Sequence, residues 1–308
     1  MPAILVEGIS KSFAGRPAVE AVSFSVEAGE VFGLLGPNGA GKTTTLRMLA
    51  GLFAPDAGRA VVAGCGIEPR RDAGPALRRK VGLLTEHPGF YDRLDAGENL
   101  IHFGRLYGLG RAAARERAGR LLDRFLLAPH AHKPFAALSR GMKQKLAIAR
   151  ALLHEPDVIF LDEPTVGLDP EATREVRAVV SELRREGRTI VLCTHDLDEV
   201  ERLCSRAAFI ATRLLAVHPV AASEARRARI DLEAPCAAAG PALRRFGTVR
   251  EEGLRLQVEL ADGASIADLV SALVGAGARV AAALPVRDPL EDAYLMLLAD
   301  ARSRGLLS

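Results

Sequence analysis

The stretch from residue 36 to residue 44 has the residue types and spacing that a phosphate-binding loop needs. An apolar run at 31–35 predicts a buried strand before it, and residues 45–50 predict the start of a helix after it. The loop itself consists of Gly36, Pro37, Asn38, Gly39, Ala40, Gly41, Lys42, Thr43 and Thr44.

The chemistry of such a loop follows from its backbone. Glycines let successive N–H groups turn towards phosphate oxygens, and the helix N-terminus adds partial positive charge. Lys42 is predicted to reach the β- and γ-phosphates of a nucleotide, and the Thr43 hydroxyl to ligate Mg²⁺. The alternative is a glycine-rich turn beside an unrelated lysine, and the strand and helix flanks argue against it.

Two acids and a histidine follow other predicted strands. Asp162 and Glu163 end an apolar run, where Asp162 could hold Mg²⁺ through water and Glu163 could orient or deprotonate the attacking water. The alternative is that both acids only end the strand and begin a turn. His195 follows the predicted strand 188–193, at an edge where ligands bind in open α/β sheets, although a lone histidine is usually structural.

Length and composition favour about two domains and no membrane span. The chain has 308 residues, of which 49% are hydrophobic, and its net charge of +3 gives no basis for a nucleic acid partner. The four scattered cysteines are expected to be reduced thiols in a cytosolic protein. No signal peptide is expected, and glycines and Arg279 interrupt the longest apolar run, 269–286. Any membrane role is therefore expected to come through a partner.

The predicted elements alternate between strands and helices. Short strands are predicted at 4–6, 22–26, 60–64 and 80–84. Helices are predicted at 97–107, 111–127, 139–153, 170–186 and 196–203. Phe13, in a predicted loop after the first strand, could stack on an adenine or could simply cover that loop.

These motifs resemble those of the ATP-binding subunits of ABC transporters, over roughly residues 3–215. The loop at 36–44 is similar to the Walker A motif, and 158–163 is similar to the Walker B motif with its catalytic glutamate. Residues 138–142 resemble the signature motif, with Arg140 and Met142 in place of the usual glycine and glutamine.

Three further positions extend the resemblance, and a fourth departs from the family pattern. Asp169 ends a segment similar to the D-loop, His195 is similar to the switch histidine, and Phe13 lies where the family has its adenine-stacking aromatic residue. Glu86 stands where the family has the Q-loop glutamine. A carboxylate at this position could still contact Mg²⁺ or water, but it cannot donate a hydrogen bond as an amide does.

The resemblance implies ATP and Mg²⁺ as cofactors, with Lys42, Glu163 and His195 as the catalytic group. It implies that Thr43, Asp162 and Glu86 hold the metal. Two ATP molecules would join a homodimer or heterodimer, with Ser139 and the helix beginning near Gly141 capping the γ-phosphate held by the other subunit. The residues implied to contact ATP, besides the loop at 36–44, are Phe13, Glu86, Ser139, Arg140, Gly141, Asp162 and Asp169.

The implied fold is α/β, a P-loop NTPase of the ABC ATPase type followed by a small α+β domain. The ATPase domain is expected at 1–215, with a helical subdomain at about 87–155, and the α+β domain at 216–308. Strands at 228–233, 254–260 and 279–284, with helices at 265–276 and 290–298, predict a ferredoxin-like tail. This tail resembles the C-terminal extension of many ABC-2-type ATPases, and it would be either a structural appendage or a device for dimer stabilisation or regulation.

The implied function is an ATP hydrolase that drives a separate membrane permease, most similar to the ABC-2-type exporters of drugs, antibiotics, lipids or polysaccharides. It would be held by that permease at the cytoplasmic face of the cell membrane, and the permease would select the substrate. The aromatic-rich segment 86–107, with Tyr91 as the best candidate, is predicted to dock the permease.

Other functions remain open. A soluble ABC-type ATPase with a regulatory or resistance role is the main alternative. ABC proteins of translation or DNA maintenance need two cassettes or a long coiled coil, whereas this chain has one cassette and no sustained heptads. A GTP switch protein is disfavoured, since the chain lacks the Asn-Lys-x-Asp guanine motif.

Overall fold

The computed structural model describes residues 2–85, 89–220, 227–261, 264–286 and 289–303. The chain divides into two compact units, which are Met1–Val220 with Tyr294–Ser308, and Ala221–Ala293. Among the described residues, no helix has the length and apolar character needed to cross a bilayer. Glu86 lies outside the described residues, so its contact with ATP or metal stays a prediction.

The first unit alternates strands and helices. Its strands are β1 (Ile4–Phe13), β2 (Arg16–Val26), β3 (Val31–Leu35), β4 (Ala57–Val62), β5 (Cys65–Ile67), β6 (Val81–Leu84), β7 (Val158–Asp162), β8 (Thr189–Thr194), β9 (Arg206–Ala211) and β10 (Arg213–Pro219). Its helices are α1 (Lys42–Leu49), α2 (Gly74–Lys80), α3 (Ala96–Leu106), α4 (Arg111–Arg124), α5 (Arg140–Ala151), α6 (Pro170–Arg185) and α7 (Leu197–Leu203). The sequence patterns missed α2, β5, β9 and β10.

The first strand is longer than predicted, and Phe13 ends it rather than lying in a loop. Phe13 pairs with Arg16 across the two residues Ala14 and Gly15, which have φ of 48° and 77°. Positive φ at both central residues gives a tight turn whose twist matches the flanking strands. The hairpin can therefore stay paired up to its turn.

A six-stranded sheet carries the strand ends on which the predicted site residues lie. Its spatial order is β10-β9-β3-β8-β7-β6, parallel throughout except for β10. Every residue of β3, β7 and β8 is buried, as expected for parallel strands covered on both faces. Because these three strands are parallel, their carboxyl ends meet at one edge of the sheet, next to Gly36, Glu163 and His195.

An antiparallel sheet, of order β2-β1-β4-β5, packs over α1 and the six-stranded sheet. The apolar core between them includes Ile4, Phe24, Phe32, Leu46 and Phe160. The rings of Phe24 and Phe32 stack at 5.3 Å between centroids, which joins the two sheets directly. This core supports the strand and the helix on either side of the phosphate-binding loop.

Helices α3, α4 and α5 form the helical segment between β6 and β7. Asp95 accepts a hydrogen bond from the Glu98 N–H, and Glu98 accepts one from the Asp95 N–H, so a capping box begins α3. Ser139 begins α5 by accepting from the N–H of Met142 at 3.2 Å. The three helices match the predicted ones to within a few residues at each end.

The second unit has its own sheet and its own core. In chain order it contains β11 (Arg227–Leu232), α8 (Ala239–Leu243), β12 (Gly247–Glu252), β13 (Arg255–Leu260), α9 (Ile266–Gly275) and β14 (Val280–Val286), and the last helix of the chain is α10 (Pro289–Ser303). The antiparallel sheet order, β12-β13-β11-β14, is the ferredoxin-like order. Apolar residues of β11, β13, α8 and α9, among them Ile230, Leu243 and Leu269, form its core.

Candidate functional site

The backbone of the phosphate-binding loop requires glycine at several positions. Gly39 and Gly41 have φ of 81° and 93°, a region that other residues rarely adopt. A Cβ on Gly36 would lie 2.2 Å from the carbonyl oxygen of Ile210, and one on Gly41 would lie 2.4 Å from that of Ala18. The loop is thus packed against the backbone behind it and opens on a cleft. The cleft is lined by Ala18, Pro37, Asn38, Gly39, Ala40, Gly41, Lys42, Thr43, Thr44 and Glu163.

Lys42, the first residue of α1, is buried within this loop. Its ammonium group donates to the carbonyl oxygens of Gly36 at 2.6 Å and Pro37 at 3.2 Å. Its Nζ also lies 3.5 Å from Oε1 of Glu163. The ammonium is therefore held on the side of the loop that faces the cleft, where it can bind an anion.

Thr43 and Asp162 place two oxygen donors side by side. The Thr43 hydroxyl donates to Oδ1 of Asp162 at 3.0 Å. Burial raises the pKa of the Asp162 carboxyl, and the Thr43 hydrogen bond, together with the nearby charges of Arg47 and Lys42, opposes that rise. A buried acid of this kind gains from a cation, and hydroxyl and carboxylate oxygens are ligands that Mg²⁺ prefers. The pair fits a Mg²⁺ ion whose remaining ligands are water and phosphate oxygens.

Glu163 lies between Lys42 and His195. Both of its carboxylate oxygens lie 3.0 Å from Nδ1 of His195. Glu163 has φ of 47°, and its N–H donates to the carbonyl oxygen of Cys193 at 2.9 Å. This left-handed backbone turns Glu163 out of the strand and into the lining of the cleft. The structure therefore brings together Lys42, Thr43, Asp162, Glu163 and His195.

The signature-like residues form a second group that does not line this cleft. Gly141 packs on Ala172, since a Cβ there would lie 2.7 Å from the Cβ of Ala172. The guanidinium group of Arg140 donates to the Val166 carbonyl oxygen at 3.1 Å. Asp169 begins α6 by accepting from the Ala172 N–H at 2.9 Å. Ser139, Arg140, Gly141 and Asp169 thus lie around the adjoining N-termini of α5 and α6, and none of them is among the residues that line the cleft in the described chain.

Phe13 also lies apart from the cleft lining. Its side chain is 49% exposed, and its ring meets that of Phe53 edge to face, with 5.8 Å between centroids. The Lys11 ammonium is within 6 Å of both ring centroids and pairs with Asp56 at 2.8 Å. An exposed ring supported in this way is available for stacking. The contact of Phe53 with Phe13 was not predicted from the sequence. The only signal for it was the place of Phe53 just after the turn at Gly51.

A buried acid near His195 also escaped the sequence analysis. Glu199 of α7 is 0% exposed, and its Oε1 accepts from the Thr165 hydroxyl at 2.9 Å. Its spacing of four residues from the buried Leu203 places it on the inner face of the helix, which is the signal that could have indicated burial.

Comparisons with known proteins agree with this geometry. A family model described as "ABC transporter" matches residues 19–166. The chain is similar to the Nod factor export ATP-binding protein I of Ralstonia nicotianae, with 43% identity over 209 residues that cover 68% of this chain and 64% of that protein. It is also 43% identical to the ABC transporter ATP-binding protein NatA of Bacillus subtilis, over 63% of this chain and 78% of that protein.

A solved structure shares the fold. The chain matches a bacterial ABC transporter cassette solved as a dimer, with a TM-score of 0.64 and 25% identity, over 71% of this chain and all of that one. The similarity to the Nod factor export protein spans 64% of the length of that protein, which is less than two thirds of it.

Proposed function

Because this chain belongs to the family of ABC transporter ATP-binding proteins, we propose that it hydrolyses ATP to drive a separate membrane permease of the ABC-2 exporter type. The observation that supports this most is the position of Glu163, which lines the phosphate-loop cleft between the Lys42 ammonium and the His195 ring. The export role is supported by the similarity to the Nod factor export protein.

The cleft residues account for the chemistry of hydrolysis. The loop N–H groups and Lys42 hold the β- and γ-phosphates, and Thr43 with Asp162 would hold Mg²⁺, which neutralises phosphate charge when bound. Glu163 would accept a proton from the attacking water as the oxygen of that water bonds to the γ-phosphorus. The bond from that phosphorus to the bridging oxygen of the β-phosphate breaks in the same step, which releases ADP and phosphate. His195 keeps the Glu163 carboxylate directed at that water through the contact to Nδ1.

We infer that a complete site needs two chains. Ser139, Arg140, Gly141 and Asp169 lie outside the cleft of their own chain, so a second chain in two-fold arrangement would offer them to the γ-phosphate. Ser139 begins α5, whose N-terminal N–H groups suit an anion. The similar cassette that was solved as a dimer supports this arrangement.

The permease would hold the chain at the cytoplasmic face of the membrane. Tyr91 is 50% exposed in the helical segment and lies against His102 and Phe103, so it offers an aromatic surface to a short partner helix. We also propose that the C-terminal domain, from residue 216 to residue 308, has an accessory role.

Lys42→Ala tests the proposed function. Removing the ammonium from the loop is expected to abolish ATP binding or hydrolysis, because no other cation lines the cleft among the described residues. Phosphate release by the purified chain at saturating Mg-ATP is the measurement, with Lys143→Ala, outside the cleft lining, as control. Near-native turnover of Lys42→Ala would refute the assignment.

A further inference from the structure

Glu199 is a fully buried acid that the proposed mechanism leaves without a task. Its Oε1 accepts from the Thr165 hydroxyl at 2.9 Å, while Oε2 is buried and has no hydrogen-bond partner in the part of the chain that the structure describes. A buried carboxyl that is only partly hydrogen-bonded is unfavourable for folding. An alanine or leucine would avoid this, so the carboxyl at this position needs another explanation.

The position of Glu199 connects two segments that each carry a site residue. Thr165 comes two residues after Glu163, and Thr194 comes immediately before His195. The Thr165 hydroxyl donates a hydrogen bond to the Glu199 carboxyl, and Glu199 itself belongs to α7, the helix that begins two residues after His195. The Thr194 hydroxyl accepts from the N–H of Asp196 at 3.1 Å. Glu199 thus links the loop that follows Glu163 to the helix that follows His195.

The second link between these segments is a backbone hydrogen bond, in which the Glu163 N–H donates to the carbonyl oxygen of Cys193 at 2.9 Å. From the other side, Arg177 of α6 pairs with Asp196 at 3.4 Å and with Asp198 at 2.9 Å. The loop after β7 is therefore held to β8 by the backbone contact and to α7 by Glu199, while Arg177 holds α6 to the start of α7.

We propose that Glu199 is a positioning residue that ties the loop after Glu163 to α7, the helix that follows His195, and so fixes the Glu163–His195 contact for ATP hydrolysis. This inference rests on the proposed function. Burial raises the pKa of the Glu199 carboxyl, which favours the neutral acid. A glutamine at this position has the same shape and keeps an acceptor for Thr165, so it can replace the acid.

Steady-state ATP hydrolysis by the purified full chain tests this role. In Glu199→Ala, kcat is expected to fall by about tenfold to a hundredfold, as expected when catalytic groups lose their alignment. KM for Mg-ATP is expected to stay within about twofold, because Lys42 and the loop are unchanged. Glu199→Gln is expected to keep most of the wild-type kcat. Thr165→Val, which removes only the hydroxyl donor, is expected to lower kcat without changing KM.

A matched control separates positioning from loss of stability. Glu30 is another largely buried acid, but it pairs with Arg206 at 2.8 Å and does not line the cleft. Glu30→Gln is expected to lower the thermal midpoint while leaving kcat near that of the wild type. Combining Glu199→Ala with His195→Ala is expected to reduce kcat no further than His195→Ala alone, because the contact to be positioned is then absent.

The outcomes distinguish this inference from the proposed function. A folded wild-type chain that hydrolyses no ATP, alone or with its permease, would overturn both. An active wild type together with an unchanged kcat in Glu199→Ala would overturn the positioning role alone. If Glu199→Ala does not fold, an unchanged kcat in Thr165→Val has the same meaning. A loss in Glu199→Gln as large as that in Glu199→Ala would also overturn it, since the amide keeps the acceptor.

Discussion

At the scale of single residues, Glu163 combines strain with exposure to the cleft. Its φ of 47° is unfavourable for a residue with a side chain. The hydrogen bond from its N–H to the carbonyl oxygen of Cys193 stabilises this conformation, in which Glu163 lines the cleft. Because of this backbone conformation, the carboxylate does not continue along β7 but lies between Lys42 and His195. Replacing Glu163 by glutamine, which has the same shape, therefore tests the role of the carboxylate in this position.

Glu163→Gln is expected to bind ATP but to hydrolyse it at least about a hundredfold more slowly, because the amide cannot accept a proton from water. ATP-bound dimer should then accumulate, and gel filtration with Mg-ATP would detect it. Glu116→Gln, an exposed acid on α4 that pairs with Arg120, is the control and should behave as the wild type. An unaltered hydrolysis rate in Glu163→Gln would exclude Glu163 as the base.

At the scale of elements, the sequence predicted what depends on neighbouring residues and missed what depends on distant packing. The loop between β3 and α1 was predictable because glycine and a helix start are local features, and the structure places Lys42 and Thr43 as expected. Strand β12 was missed because its residues Thr248 to Glu252 are largely exposed and polar, so no apolar alternation indicates it. Pairing with β13 alone makes it a strand. The burial of Glu199 likewise depends on tertiary packing.

Asn99 provides a prediction for the helical segment. This fully buried residue of α3 accepts from the N–H of Tyr91 at 2.9 Å and donates to the carbonyl oxygens of Tyr91, Leu94 and Asp95. Asn99→Ala leaves the buried N–H of Tyr91 without its partner and removes one hydrogen bond from each of the three carbonyl oxygens, which keep a backbone donor. The change should lower the free energy of unfolding by about 2 kcal/mol. Urea denaturation is the measurement, and Arg105→Ala, on the exposed face of the same helix, should change stability little. An equal effect of the two substitutions would contradict the role of Asn99.

At the scale of the whole molecule, the first unit is formed by two separate stretches of the chain, Met1–Val220 and Tyr294–Ser308. Strand β10 runs to Pro219, so a truncation at residue 216 would remove half of an edge strand. Residues from Tyr294 onward belong to the first unit, where the Tyr294 ring stacks on Phe209 at 5.6 Å between centroids. The C-terminal helix therefore contributes to the stability of the unit that contains the candidate site.

A chain truncated after Val220 is expected to keep nucleotide binding, because all the cleft residues precede that point. It should lose about 1 kcal/mol of stability with the Tyr294–Phe209 stacking, and Tyr294→Ala in the full chain should show the same loss. Equilibrium binding of a labelled ATP analogue, with thermal unfolding, is the measurement. A folded truncation that cannot bind would show that residues after Val220 are needed for nucleotide binding.

The proposed coupling of ATP hydrolysis to a permease would use a surface on the helical segment. Phe90 stacks on Phe135 at 4.7 Å and meets Phe103 edge to face at 5.6 Å, so its ring belongs to the packing of this segment. Tyr91 is different, because its ring is half exposed while Asn99 fixes its backbone. A rigid backbone with an exposed aromatic side chain is suited to an interface, since little entropy is lost on binding.

We therefore expect Tyr91→Ala to weaken association with the permease and to uncouple transport, while the basal ATPase rate of the isolated chain stays near that of the wild type. A charge at Leu94 should act in the same way, although Leu94 is partly buried and its carbonyl oxygen accepts from Asn99, so this variant also disturbs the fold. Val61→Ala removes an exposed apolar side chain from the antiparallel sheet and is the matched control. Co-purification with the permease from membranes, measured beside the ATPase rate, distinguishes the cases. Wild-type association of Tyr91→Ala would show that the permease docks elsewhere, because the substitution removes the half-exposed ring of Tyr91 while leaving Lys42 and Glu163 in place.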